Sequence, residues 1–158
     1  MSSRAKTVNS TDGAESYTIS AEVLDAMQRM AIRYYSHGMY SDSVCLLEFL
    51  LRHRSNRADT YFSLGKAKHA QTEYADAVTN YKRSVLLGLS DIEVHLYLGQ
   101  CFIFLRRLAQ AAAALRDFLA LANADRSYRN SPLLASGQHL LTDLVLPHLN
   151  SNTEGQND

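Results

Sequence analysis

The residues of this sequence best suited to metal binding or proton transfer are six histidines and two cysteines. They are His37, His53, His69, His95, His139 and His148, with Cys45 and Cys101. A structural or catalytic zinc site needs such ligands at short fixed spacings, so that one element presents them together. Neither H-E-x-x-H nor C-x-x-C occurs. The glycine patterns that cradle phosphates or set up a nucleophilic serine, G-x-G-x-x-G, G-x-x-x-x-G-K-[ST] and G-x-S-x-G, are missing too. Serine, histidine and aspartate can be combined on paper in any chain, but nothing in the spacing brings three together here. The expectation is a protein that is not an enzyme and carries no catalytic residue, metal or cofactor. What is left for it to do is to bind through a surface.

Composition narrows the partner. Sixteen basic and sixteen acidic residues cancel to a net charge of zero in 158 residues, without the basic excess of a nucleic-acid-binding protein. The length suits one domain with a core of its own. No apolar run reaches the ~18 residues of a membrane span, and the polar stretch Met1 to Ser20 lacks the apolar centre of a secretory signal. A cytoplasmic location is expected. Cys45 and Cys101 lie among apolar neighbours, where free cysteine acts as a small hydrophobe. Two are too few for a disulfide framework. Asn9-Ser10-Thr11 fits the glycosylation pattern but without an export signal is read as chance.

The elements that must build the surface are legible from one stretch, Tyr61 to Ser84. Its Leu64-Gly65, Tyr74, Ala77 and Tyr81 recur at one constant offset as Leu98-Gly99, Leu108, Ala111 and Leu115. The same offset in the other direction gives a fainter copy, Met30-Ala31, Tyr40, Ser43 and Leu47. A period of about 34 residues built from helix–turn–helix units is the tetratricopeptide signature. The small residues at 43, 77 and 111 mark where the two helices of a unit approach too closely for a larger side chain. The predicted fold is all-α: three tetratricopeptide helix pairs in a right-handed superhelical solenoid with a C-terminal capping helix.

The frame gives units at about 24–57, 58–91 and 92–125 within a domain of 18–149. First (A) helices fall near 24–37, 58–71 and 92–105, and second (B) helices near 41–54, 75–88 and 109–122. Gly38, Gln71-Thr72 and Arg106-Arg107 fall in the A-to-B turns. Residues 1–17, rich in Ser, Thr, Asn and Lys, bury too little to offset ordering entropy and are expected to be disordered. Ser20 is a candidate N-cap, with Glu22 favourable in the first turn. Asp59 and Asp91 stand near the starts of later A helices. Arg52-His53-Arg54 ends the first B helix, where positive charge meets the helix dipole, and is read as structural. Beyond 125 the repeat stops. Ser131-Pro132 should start a capping helix at about 132–147. Its stripe is Leu133, Leu134, Leu140, Leu141, Leu144 and Val145; Pro147 should end it, and 150–158 should be a flexible tail.

In a tetratricopeptide array the A helices line the concave face, with unit positions 2, 5, 9, 12 and 13 pointing into the groove. These are Asp25, Gln28, Ile32, Tyr35 and Ser36, then Asp59, Phe62, Lys66, His69 and Ala70, then Glu93, Leu96, Gln100, Ile103 and Phe104. The partner-binding groove is assigned to Ile32, Tyr35, Phe62, Lys66, His69, Leu96, Gln100, Ile103 and Phe104. Such a lining suits an extended peptide whose apolar side chains enter pockets while Lys66, His69 and Gln100 meet its backbone. Tetratricopeptide modules that clamp the acidic C-terminus of heat-shock proteins need several basic groove residues. Here only Lys66 is basic, which argues against that function.

Five segments carry a closer likeness. They are Gly38-Met39-Tyr40-Ser41-Asp42-Ser43, similar to a G-x-Y-x-x-A turn, then Tyr61-Phe62-Ser63-Leu64-Gly65 and Glu73-Tyr74-Ala75-Asp76-Ala77. Gly88-Leu89-Ser90-Asp91 and His95-Leu96-Tyr97-Leu98-Gly99-Gln100-Cys101-Phe102 complete the set. With the three gapless repeats and the chain length, they make residues 27–122 resemble the tetratricopeptide-type (class II) chaperones of bacterial type III secretion. The resemblance implies a bacterial cytoplasmic, ATP-independent holding chaperone. Its groove would keep hydrophobic translocator proteins soluble by taking a short apolar segment near the client's N-terminus. Partners would be protein clients, with no nucleic acid and no membrane, and homodimerisation is a further option. Three departures stand out: only residues 18–23 precede the first repeat where the family has a longer, often dimerising helix, Ser43 replaces alanine, and Arg106-Arg107 replaces a glycine turn. The alternative is an adaptor or scaffold subunit of a secretion or regulatory complex with no holding role.

Overall fold

The computed structural model describes residues 19–53 and 57–149. The disorder expected of 1–17, the tail at 150–158 and Arg54 lie outside the described residues. Six helices follow one another in pairs: α1 (Ala21–Ser36) with α2 (Tyr40–His53), α3 (Ala58–Ala70) with α4 (Tyr74–Leu86), and α5 (Glu93–Phe104) with α6 (Leu108–Ala124). Among the described residues all regular structure is helical. Ser20 caps α1, its hydroxyl accepting from the Val23 amide at 3.4 Å. That cap starts the helix at Ala21, ahead of the repeat frame. Arg52 and His53 occupy the last turn of α2.

Each A-to-B turn is the same object in three sequences. Gly38, Thr72 and Arg106 hold one place in successive units, and all take left-handed backbone, with φ of 76°, 63° and 58°. The chain closes identically: Met39 N–H donates to the Tyr34 carbonyl, Glu73 to Lys68 and Arg107 to Phe102, at 2.9, 3.0 and 2.8 Å. This is the helix-ending turn in which one left-handed residue lets the orphaned carbonyls be satisfied. Arg106 therefore keeps the geometry that glycine would supply, as does Thr72, each at a cost of about 1–2 kcal/mol.

Within a pair the seam is closed by small residues. A Cβ on Gly65 would meet the Tyr81 ring at 2.6 Å, and one on Gly99 would meet Leu115 at 2.6 Å. Ser43, Ala77 and Ala111 are fully buried, as the period predicts. Ser43 also donates its hydroxyl to the Ala31 carbonyl at 2.8 Å, so the serine serves the seam with a hydrogen bond rather than merely fitting it. Of the two cysteines, Cys101 is buried but Cys45 is exposed. The core stripe of α2 is Ser43, Val44, Leu47 and Leu50, which turns position 45 outward and corrects the expectation of an apolar setting.

The short turns make partners antiparallel. Between pairs, α1 touches α3 and α3 touches α5, while α2 packs on α3 and α4 on α5. The A helices are thus the ones drawn towards each other, and the array curves with their shared face inward.

After α6 the chain makes a 3-10 turn, Arg126–Tyr128, capped by the Asp125 carboxylate accepting from the Ser127 amide at 2.9 Å. Then comes α7 (Pro132–His139), with Ser131 as N-cap and Pro132 in its first turn. The capping helix does not end at Pro147. It opens into a π-helical stretch, Leu140–Val145, and stays helical through 149. A proline ring clashes with the carbonyl four residues back, and the wider turn just ahead of it relieves that clash. Widening also moves the buried positions to a spacing of four, Gly137, Leu141 and Val145. Leu144, expected in the stripe, is consequently turned out to 42% exposure.

Candidate functional site

The inner face is a floor of aromatic rings crossing the second and third pairs. Phe62 on α3 lies 5.9 Å from Tyr81 of α4 and 6.0 Å from Tyr97 of α5, and Tyr81 stacks on Tyr97 at 5.8 Å. His69, two turns further along α3, meets Tyr74, Tyr81 and Tyr97 edge-on. At its far end Tyr74 stacks flat on Phe104, ring centres 4.4 Å apart. The cluster follows from helical spacing: Phe62 and His69 are two turns apart on α3, as are Tyr74 and Tyr81 on α4 and Tyr97 and Phe104 on α5, so each pair shares a face.

Lys66 stands over this floor. Its ammonium lies 5.4 Å from the ring centre of Tyr35, 5.5 Å from Phe62 and 5.8 Å from Tyr97, one ring from each A helix. Aromatic faces attract cations at such distances. Burial shifts the titrating groups around it. Desolvation pulls the His69 imidazole below its ordinary value, keeping it neutral at neutral pH. Burial, helped by the carboxylate of Glu93, pushes the Tyr97 phenol up to about 12. The Tyr81 hydroxyl is raised as well, mainly by burial, and lies 3.4 Å from His69 Nδ1.

The acidic positions at the helix starts are already engaged. Arg57 pairs with Asp59 at 2.7 Å and approaches Asp25 at 3.9 Å. Glu93 accepts from the hydroxyls of Tyr97 and Tyr128, both at 3.4 Å. Gln28 accepts from the Thr60 hydroxyl at 3.1 Å, linking α1 to α3.

Of the residues assigned to the groove from sequence, Tyr35, Phe62, Lys66, His69, Gln100 and Ile103 are half-buried. Ile32 and Phe104 are open, at 50% and 60% exposure. Leu96 is different: at 1% exposure it belongs to the core and cannot touch a partner. Its counterpart one repeat earlier, Phe62, is half-open beside the rings of Tyr81 and Tyr97. In the last unit the segment after α6 folds back, and Tyr128 reaches Glu93 one turn before Leu96. The sequence reading also misses Tyr97 and Tyr74, and with them Tyr81, which is fully buried and stacks on Tyr97 beneath the face rather than on it. Tyr97 stands beside the assigned position, and Tyr74 and Tyr81 enter it only as members of the repeat pattern. The available signal is their aromatic character at two-turn spacing with Phe104 and each other.

Other clefts lie away from this face. One is on the outer side among Lys82, Val85, His95, Phe102 and Asp117; another lies against α1 between Arg29, Met30, Arg33 and Met39, and a third among Tyr61, Thr79, Arg83 and Leu86. None of these spans all three repeats, whereas the inner face does, so the inner face is the candidate site. Among the described residues no His, Cys, Asp and Glu gather as metal ligands, and no helix is long and apolar enough to cross a membrane.

No family model matches the chain, and no curated protein matches it in sequence. Its fold does match solved structures. The Yersinia enterocolitica type III secretion translocator chaperone SycD is 18% identical over 86% of this chain and 89% of its own, with a TM-score of 0.73. PcrH of Pseudomonas aeruginosa, in complex with the chaperone binding region of PopD, is 18% identical over 85% and 96%, with a TM-score of 0.72. SycD in complex with a peptide of the translocator YopD is 18% identical over 77% and 97%, with a TM-score of 0.67. At such identities the likeness shows the fold, an array of helix pairs of this length.

Proposed function

We propose that the chain is a cytoplasmic, non-enzymatic chaperone of type III secretion that holds a hydrophobic translocator-type client by an extended segment laid in its inner face. The observation that carries the reading is the floor from Tyr35 through Phe62 and Tyr97 to Tyr74 and Phe104. These large rings are left half-open across all three repeats, on a fold that in its structural neighbours accompanies translocator segments. A packed core would have closed them. A half-open aromatic floor offers area that a client's apolar side chains can cover, at about 25 cal/mol per Å², and the work requires no chemistry. Masking such segments keeps a membrane-active client from aggregating or inserting before export.

Self-association fits the same reading. Val23 and Met30 on α1 and Met39 in the turn after it are exposed, at 50%, 48% and 44%, apolar side chains separate from the groove. A homodimer formed there would leave the inner face free.

Co-expression tests the function. With this chain present, a client bearing long apolar segments should gain soluble yield and co-purify, and Phe104→Glu should reduce both. Unchanged yield with a co-purifying client would instead identify an adaptor, and no effect of Phe104→Glu on co-purification would remove the inner face from the reading.

A further inference from the structure

We infer that the groove selects a segment carrying an acidic side chain between two apolar ones, and that Lys66 is the residue that reads it. The inference rests on the groove reading above and adds the chemistry of what the groove takes. Ile32, Lys66 and Gln100 hold the same place in α1, α3 and α5, each one repeat on from the last, so a chain crossing the three helices meets an aliphatic, a cation and an amide in turn.

The cation is the uncompensated member. Other basic side chains of α3 and its start have carboxylate partners, Arg57 with Asp59 and Lys68 with Glu73, both at 2.7 Å. Among the described residues Lys66 has none. The nearby carboxylates are committed, Asp59 to Arg57 and Glu93 to two tyrosines. The three rings under the ammonium attract it but accept none of its three N–H bonds in the way an oxygen would. In the free protein water fills those sites. A client that covers the floor expels that water, and a desolvated, unpaired ammonium is costly. A carboxylate on the client removes the cost, a neutral side chain removes part of it, and a basic one adds repulsion.

Spacing follows from the same geometry. Neighbouring helices pack about 8–10 Å apart, and an extended chain advances about 3.3 Å per residue. The acid over Lys66 therefore falls about three residues from the side chain over Ile32 and Tyr35, and about three from the one over Ile103 and Phe104. The pattern is apolar-x-x-(Asp/Glu)-x-x-apolar.

Fluorescence anisotropy of the full-length protein with labelled synthetic peptides built on Leu-x-x-Glu-x-x-Leu, and the same peptide with Gln or Lys in place of Glu, tests it. The Glu peptide should bind about tenfold tighter than the Gln peptide, with the Lys peptide weakest, and added salt should narrow the gap. Lys66→Met should collapse the Glu-to-Gln ratio towards one, Lys66→Arg should keep it, and Lys66→Glu should reverse it in favour of the Lys peptide. Equal affinities of Glu and Gln peptides for the unaltered protein, or a ratio that survives Lys66→Met, overturn the assignment to Lys66. In that case the groove reading still stands if Phe104→Glu weakens both peptides. If no peptide binds, or Phe104→Glu changes nothing, the groove reading fails and this inference with it.

Discussion

The seam inside each helix pair and the inner face shared by successive pairs draw on opposite stocks of side chains. The seam uses Ala31, Ser43, Gly65, Ala77, Gly99 and Ala111, all buried, and closes helix against helix with nothing to spare. The inner face uses Tyr35, Phe62, Tyr74, Tyr97 and Phe104; Phe62 packs on Tyr97 and Tyr74 on Phe104, yet all five remain partly open. Small side chains let backbones approach and gain their energy from contact already made. Large rings held half-open keep apolar area in reserve for a contact not yet made. Stability and binding should therefore separate along this line, seam substitutions unfolding the protein and inner-face substitutions emptying the groove.

The largest effect is expected at Gly65. Alanine there gains about 1 kcal/mol of helix propensity, but its Cβ lands 2.6 Å from the Tyr81 ring. That ring cannot turn aside, because Phe62 and Tyr97 flank it. Gly65→Ala should lose about 1–3 kcal/mol in urea unfolding, and Gly65→Val more. Gly99→Ala should lose less, because Leu115, the residue it meets, is a flexible aliphatic. Equal losses at the two glycines would mean that the aromatic packing around Tyr81 does not stiffen the seam.

Phe104→Glu should do the reverse. Phe104 is 60% exposed, so the loss of its stacking on Tyr74 should cost no more than about 1 kcal/mol of stability. Client affinity measured by calorimetry should fall by about tenfold or more, since a charge then stands where an apolar side chain must land. A collapse of Tm in this variant would place Phe104 with the seam instead.

A third, intermediate effect sharpens the seam. Ser43→Ala preserves the small volume but removes the hydroxyl that gives the Ala31 carbonyl, inside α1, a second hydrogen bond at 2.8 Å. The expected loss is about 0.5–1.5 kcal/mol in thermal or urea unfolding, with no change in client binding. A neutral result would reduce Ser43 to a stand-in for alanine.

The seam is legible in the sequence because it repeats: a small residue returns at the same two places in every unit, and each copy obeys one steric rule. The inner face is only partly legible. Position within the repeat locates Phe62, Lys66, His69 and Phe104, but it also places Leu96 in the groove by analogy with Phe62. What the repeat does not describe is the segment after α6, whose Tyr128 reaches Glu93 one turn before Leu96. The same limit applies at Pro147, where local propensity argues for a stop and the π-helical turn before it removes the reason for one. Tyr97 escapes because its place in the repeat, read alone, says nothing of the rings that other helices bring to it.

The smallest effect tests whether the inner face is already dry before a client arrives. His69 faces Tyr74, Tyr81 and Tyr97, and Lys66 lies one turn before it on α3. Desolvation holds its pKa below the ordinary value. The unfolded chain therefore takes up this proton first, near pH 6.5. Between that pH and the lower folded-state pKa the unfolded state binds more protons, so stability falls as the solution is acidified. The loss is complete below the folded value and absent above about pH 7. Urea midpoints across this range should fall on acidification in the unaltered protein and fall less in His69→Gln. Bound client covers the ring further, so its affinity should weaken over the same range and regain part of its acid tolerance in His69→Gln. Identical pH profiles for the two proteins would show that water reaches His69 freely, and that the floor is wetter than its half-buried rings suggest.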